Sequence, residues 1–339
     1  MLHILATAVN AVMPIILLIL LGYLLRRRRF LSEDFLKVGN KLVFRVCLPC
    51  MLFINVYNIE SLGAIQWDIV LFSVGVLLGI FLMGIGLAVA TTKVPERRGV
   101  LLQCAFRSNF AIIGLSLAGA LGGSGAEATA AVVSAFTIPL FNVLAVVSLS
   151  MFVGHGGGNR GIGSVAHNIV KNPLIIGVFL GLVCLVVRSV QVRLFGEVVF
   201  SLKTQTKFLY TAVNNLKSIA SPLALIVLGG QFEFSAVKGM RREILVGTLW
   251  RTVAAPLLGV GAAVLLSKGL GIFSWGVNEY PALIALFGSP VAVSSAIMAG
   301  QMGNDEQLAT QLVVWTSLCS IVTIFAQVCV MMAMGLLAV

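Results

Sequence analysis

The stretch FRSNFAIIGLSLAGALGG, Phe106 to Gly123, sets an arginine, a serine and an asparagine side by side within a long apolar run. A cation and two hydrogen-bonding side chains are costly where nothing can solvate them, so their presence needs a structural reason. The surroundings are extreme in composition. The chain of 339 residues is 59% hydrophobic and 10% charged, with a mean hydropathy of +1.05. Soluble domains carry roughly 25% charged residues, which excludes that class. Apolar runs recur that suffice to cross a hydrocarbon core of ~30 Å as helices. Alternating strands of about 10 residues, the mark of a membrane barrel, are absent from the pattern.

Ten spans are expected, at about 5–25, 41–58, 68–91, 99–121, 127–152, 171–188, 208–229, 244–267, 280–302 and 308–335. The first reads as a span rather than a cleaved signal, because Arg26 to Arg29 follow it and no cation precedes it. With the N-terminus outside, the inner segments hold 14 of the Lys and Arg residues and the outer segments 5. The positive-inside rule then favours both termini outside. The net charge of +11 is thus a topology signal, and no nucleic acid is expected as partner. The loop 189–206 fits this rule worst, since Arg188, Arg193, Lys203 and Lys207 all lie in or beside it. Cys47 and Cys50 have redox-motif spacing but sit within a span and read as packing residues.

The halves of the chain resemble each other in order. Pro14 and Gly22 recur as Pro173 and Gly181, and the Pro49 of LPCMLFI recurs as the Pro222 of SPLALIV. FRSN at 106–109 then matches FGSP at 287–290, AGALG at 118–122 matches AGQMG at 299–303, and TAAVV at 129–133 matches TQLVV at 310–314, all at an offset of 181 residues. An odd number of spans per half inverts the second copy, the arrangement of carriers that bind at the midplane between repeats. The expected units are residues 1–152, a Gly-rich inner linker at 153–170, and residues 171–339.

Spans four and nine hold matching positions, and both carry helix-weakening residues where a span should be most apolar. Pro290 lacks an amide donor and clashes with the preceding turn, so a break near 286–290 is expected. A broken helix leaves one half beginning with free N–H groups and partial positive charge, which favours anions. The expected binding set is Arg107, Ser108 and Asn109 on one side, with Ser289, Pro290, Ser294 and Ser295 opposite. Arg107 lies roughly 10 to 15 Å in from the inner face by helix rise. Arg45 and Arg251 lie nearer that face and read as snorkelling side chains. Lys217, with Asn214 and Asn215, is a weaker candidate.

All twelve acidic residues fall in loops or at span ends, so a carboxylate-bound Na⁺ or H⁺ at the midplane is not expected. His3, His155 and His167 lie outside the spans, which disfavours a buried catalytic dyad. No enzyme, cofactor or metal is expected.

KLVFRVCLPCMLF in span two, FRSNFAIIGLSLA in span four and GSPVAVSSAIMAGQMGNDEQLAT around span nine resemble the auxin efflux carrier family. The resemblance implies an all-helical fold of two inverted five-helix repeats, shared in outline with bile-acid symporters. In that fold spans four and nine cross in a mobile transport domain, and spans one, two, six and seven form a scaffold that pairs into a homodimer. Asn109 matches the polar position at the first crossover and Pro290 a proline near the second. The short inner loop points to a bacterial-type malate or malonate carrier, and the missing second Asn makes auxin doubtful. The expected function is secondary transport of small mono- or dicarboxylates by an elevator movement. The alternatives are a sodium-coupled symporter on the same fold and a channel or sensor.

Overall fold

The computed structural model describes residues 2–58, 66–153 and 172–337. The described residues form helices and no strands, apart from one isolated antiparallel bridge between Ser108 and Val291. Helices satisfy their own backbone groups, as a segment in lipid must. In chain order they are α1 (Leu2–Arg27), α2 (Glu33–Tyr57), α3 (Trp67–Thr91), α4 (Pro95–Phe106) and α5 (Leu115–Met151). Then follow α6 (Pro173–Phe195), α7 (Lys207–Gln231), α8 (Arg241–Gly269), α9 (Glu279–Gly288), α10 (Ser294–Gln301) and α11 (Glu306–Ala333).

Seven described helices are long and apolar enough to cross a membrane. With 12, 10 and 8 residues, α4, α9 and α10 are too short to cross alone, since ~20 residues are needed. These three flank the breaks expected in spans four and nine. Elsewhere the boundaries shift. The outer loop expected at 122–126 is instead a kink inside α5, where Gly123 alone leaves helical geometry at φ 72° and ψ −163°. A positive φ there suits only a residue without a Cβ. The second span starts early, at Glu33, because Ser32 caps it by accepting from Phe35 N–H at 3.1 Å. All but the first residue of the expected linker at 153–170 lies outside the described residues.

Two helices contain π-turns just before a proline, Val43–Cys47 ahead of Pro49 and Trp250–Ala254 ahead of Pro256. A proline excludes the carbonyl four residues earlier, and the wider turn absorbs the lost bond. The extra residue also rotates the chain, which decides where Arg251 points.

Lipid gives helices no hydrophobic reason to associate, so close backbone approach holds them together. α1 packs on α7 and α2 on α6. A Cβ on Gly22 would overlap the carbonyl of Ile226, and one on Gly181 would crowd the carbonyl of Phe53. Ile226 lies four residues past Pro222 and Phe53 four past Pro49, so the glycines and prolines paired in sequence make corresponding contacts. Gly229 meets the carbonyl of Ile19 in the same interface. Gly229→Val should therefore cost about 1–3 kcal/mol by overpacking. The measurement is thermal unfolding in detergent with Gly75→Val as control, because Gly75 has open space around it. Equal melting temperatures for the two variants would remove the close approach as the cause.

Polar contacts gather at the two ends of the bundle. At one end Arg97 bridges Glu243 at 3.0 Å and Asp305 at 2.9 Å, and Asn40 Nδ2 donates to Glu306 at 2.5 Å. Burial works against the Arg97 charge, but its bonds to the two carboxylates outweigh this and hold its pKa above the usual value. At the other end Trp275 Nε1 donates to Asp68 at 2.7 Å, and Leu202 N–H donates to the Tyr57 hydroxyl at 2.9 Å.

Candidate functional site

The site is built where two broken helices cross. α4 ends at Phe106, and Arg107 is extended at φ −83° and ψ 102°. α9 ends at Gly288, and Ser289 is extended at φ −62° and ψ 146°. The two extended segments run antiparallel and bond to each other. Asn109 N–H donates to the Pro290 carbonyl at 2.7 Å, and Ala292 N–H donates to the Arg107 carbonyl at 3.3 Å. Asn109 and Pro290 are the same position of the sequence repeat, so equivalent residues meet at the crossing. Each chain then becomes helical again. Ile113 N–H donates to the Asn109 carbonyl at 3.0 Å, and Ser295 N–H to that of Ala292 at 2.9 Å.

The crossing separates charge. The last carbonyls of α4 and α9 have lost their partners and carry partial negative charge. Arg251, fully buried, takes them. Its Nη1 donates to Phe106 O at 3.2 Å and its Nε to Ser289 O at 3.0 Å. Its Nη2 reaches Phe287 O at 2.5 Å and Leu286 O at 3.4 Å. The snorkelling expected of Arg251 is thus corrected. The π-turn ahead of Pro256 lies at the crossing, and the guanidinium binds carbonyls rather than reaching water. Arg45 is exposed, as a snorkelling side chain should be.

On the other side of the crossing, the restarting half-helices present their first turns to a small cavity of about 30 Å³. Ser108, Asn109, Ala111 and Ile112 line it from one chain and Ala292, Val293 and Ser294 from the other. Leu48 and Met51 of α2, Asn142 of α5 and Ser221 of α7 close it. That volume has room for about one water, so the cavity must open to admit a larger solute. Asn109 Nδ2 and Ser108 Oγ are buried without a hydrogen-bond partner.

Arg107, 4% exposed, also lines the cavity. Its Nη2 donates to Asn142 Oδ1 at 2.7 Å and to Ser294 Oγ at 2.9 Å. With its amide turned to satisfy both ends, Gln103 accepts from Arg107 Nη1 at 2.9 Å. Every one of these partners is neutral. The ion pairs among the described residues join Arg26 to Glu33 and Arg97 to Glu243 and Asp305, and none involves Arg107 or Arg251.

Arg107, Ser108, Asn109 and Ser294 are therefore brought together around one space. The other three expected residues stand apart from it. Ser289 Oγ donates back to Ala285 O of α9 at 2.6 Å, and Pro290 contributes its carbonyl to Asn109. Ser295 is buried behind, its hydroxyl unpartnered and its carbonyl beside Gln103. Asn142 was missed. Its signal was an amide in the apolar run PLFNVLAVV, 35 residues from the arginine it binds. Among the described residues no group of three His, Cys, Asp or Glu side chains could hold a metal ion.

Comparison with known proteins bears on the family rather than on the geometry of the site. The chain is 25% identical over 267 residues to an uncharacterized transporter of Methanocaldococcus jannaschii, covering 77% of this chain and 81% of that one. The profile of the family described as membrane transport protein matches residues 7–161 and 159–328. The chain belongs to this membrane transport protein family, that of the auxin efflux carriers.

Proposed function

We propose that this transporter is a secondary carrier of small organic anions, mono- or dicarboxylates, which it exports or exchanges by an elevator movement. The observation that carries the reading is the charge at the crossover. A buried guanidinium with only neutral partners stands beside two helix N-termini and two orphaned polar groups. A carboxylate would supply the missing negative charge and accept from Asn109 Nδ2 and Ser108 Oγ. The cavity lies between the crossing helices and α2 and α7, the surface across which an elevator would slide. Ten spans as two inverted repeats are supported by the matched glycine and proline contacts and by the meeting of Asn109 with Pro290. A homodimer in a bacterial inner membrane, with both termini outside, completes the proposal.

The sodium-coupled alternative would place Na⁺ on carbonyls freed at the crossover. Those of Phe106, Leu286, Phe287 and Ser289 already accept from Arg251, so a cation of the protein's own occupies that place. This favours transport without sodium.

The test is charge movement in proteoliposomes on a solid-supported membrane, with malate, malonate, succinate, lactate and indole-3-acetate, with and without Na⁺ and a pH gradient. Labelled-substrate counterflow covers electroneutral exchange. We expect a saturable, sodium-independent signal for at least one carboxylate. Asn109→Ala should weaken its apparent affinity about tenfold, the loss of one hydrogen bond to a charged group. A strict sodium requirement, or silence in both assays across the panel, would overturn the proposal.

A further inference from the structure

α7 has three kinds of surface. Ala220 and Ala224 are buried, and Phe208, Leu209 and Ile219 are exposed and apolar, as lipid-facing residues are. The third face is polar and still accessible. Thr211, Asn214, Ser218 and Ser221 recur at spacings of three and four residues, with Asn215 and Lys217 flanking them. Thr211, Asn215 and Ser218 are exposed, while Asn214, Lys217 and Ser221 are half-buried. Such a row is unfavourable against hydrocarbon and belongs against water or protein. Its last member, Ser221, lines the crossover cavity. Its beginning lies among cations. Lys203 Nζ sits 5.7 Å from the centre of the Tyr210 ring, and Arg188 lies 5.7 Å from that of Tyr57. Arg193 and Lys207 are exposed in the same region, where Glu197 is the one carboxylate of the segment 188–207. These are the basic residues that fit the positive-inside count worst.

We propose that the polar face of α7 lines a water-filled approach to the crossover cavity. The cations at its mouth and Lys217 midway make it selective for anions. A positively lined cleft with low-dielectric walls concentrates anions before they bind. The anion selectivity extends the proposed function, whereas water access along α7 does not depend on it.

The test uses the full chain in proteoliposomes, with Thr211→Cys, Ser218→Cys and, on the lipid face, Ile219→Cys. Each is exposed to an anionic and a cationic membrane-impermeant methanethiosulfonate. Modification of the introduced cysteine is followed by peptide mass spectrometry, which separates it from the six native thiols. Each rate is normalised to that of a small free thiol. Thr211→Cys and Ser218→Cys should react at least tenfold faster than Ile219→Cys. Ser218→Cys should favour the anionic reagent at least threefold, and Lys217→Gln should remove that preference. Protection of both polar-face cysteines, with crosslinks between copies, would make this face a dimer contact and overturn the proposal. Equal normalised rates for the two reagents at Ser218→Cys would overturn its anion selectivity. A labelled, anion-selective path beside a silent carboxylate panel would instead overturn the proposed substrate class and leave the path standing.

Discussion

Arg251→Met should lower the melting temperature of the detergent-solubilised protein by at least ~5 °C, the largest stability effect expected of any single side chain here. Arg251 has no exposed surface, and its donors hold carbonyls from both broken helices, Phe106 on one and Leu286, Phe287 and Ser289 on the other. Methionine fills most of the same space but donates nothing. Each buried carbonyl left without a partner costs about 1–3 kcal/mol. The loss is also electrostatic, because two helix C-termini would face each other across apolar protein with no cation between them. Arg251→Lys should fall between, since an ammonium keeps the charge but not the planar fork that reaches several carbonyls at once. Scanning fluorimetry on the tryptophans gives the ranking. A methionine variant within 2 °C of the parent would mean that the carbonyls find water, and that Arg251 does not hold the crossover together.

The position of the breaks was legible in the sequence because Pro290 and the polar triplet at 107–109 act locally. A residue without an amide hydrogen and a run of competing side chains disrupt a helix wherever they stand. The role of Arg251 was not legible, because depth judged from the rise of a straight helix omits both the π-turn at 250–254 and the crossing of distant chain ends beside it. Ser294 and Ser295 looked equivalent in sequence. One helical step turns a side chain by about 100°, which puts Ser294 at the cavity and Ser295 behind it. Asn142 had no visible partner, since its contact with Arg107 exists only once α5 folds back from the Gly123 kink. Local breaks are thus readable from residue chemistry, whereas pairings between elements wait for the fold.

Arg107→Gln should lower the apparent anion affinity in counterflow about 100-fold, yet leave the melting temperature unchanged or raise it. A 100-fold loss is ~2.7 kcal/mol, within the range for removing a hydrogen bond to a charged group. The stability half of the prediction rests on the partners of Arg107. Asn142, Ser294 and Gln103 are all neutral, so its charge is desolvated without a counter-charge until an anion arrives. Glutamine can still bond to neutral neighbours and needs far less solvation. Arg107→Lys should keep part of the affinity, because the attraction survives while bidentate geometry is lost. Measured together by fluorimetry and counterflow, the two arginines should fail in opposite ways. Loss of Arg251 should weaken the fold first, and loss of Arg107 should weaken binding within an intact fold. If Arg107→Gln instead lowers the melting temperature as far as Arg251→Met does, Arg107 is a structural cation, and the charge that attracts substrate must be sought elsewhere. Full transport in a stable Arg107→Gln protein would remove the anion site from the crossover altogether.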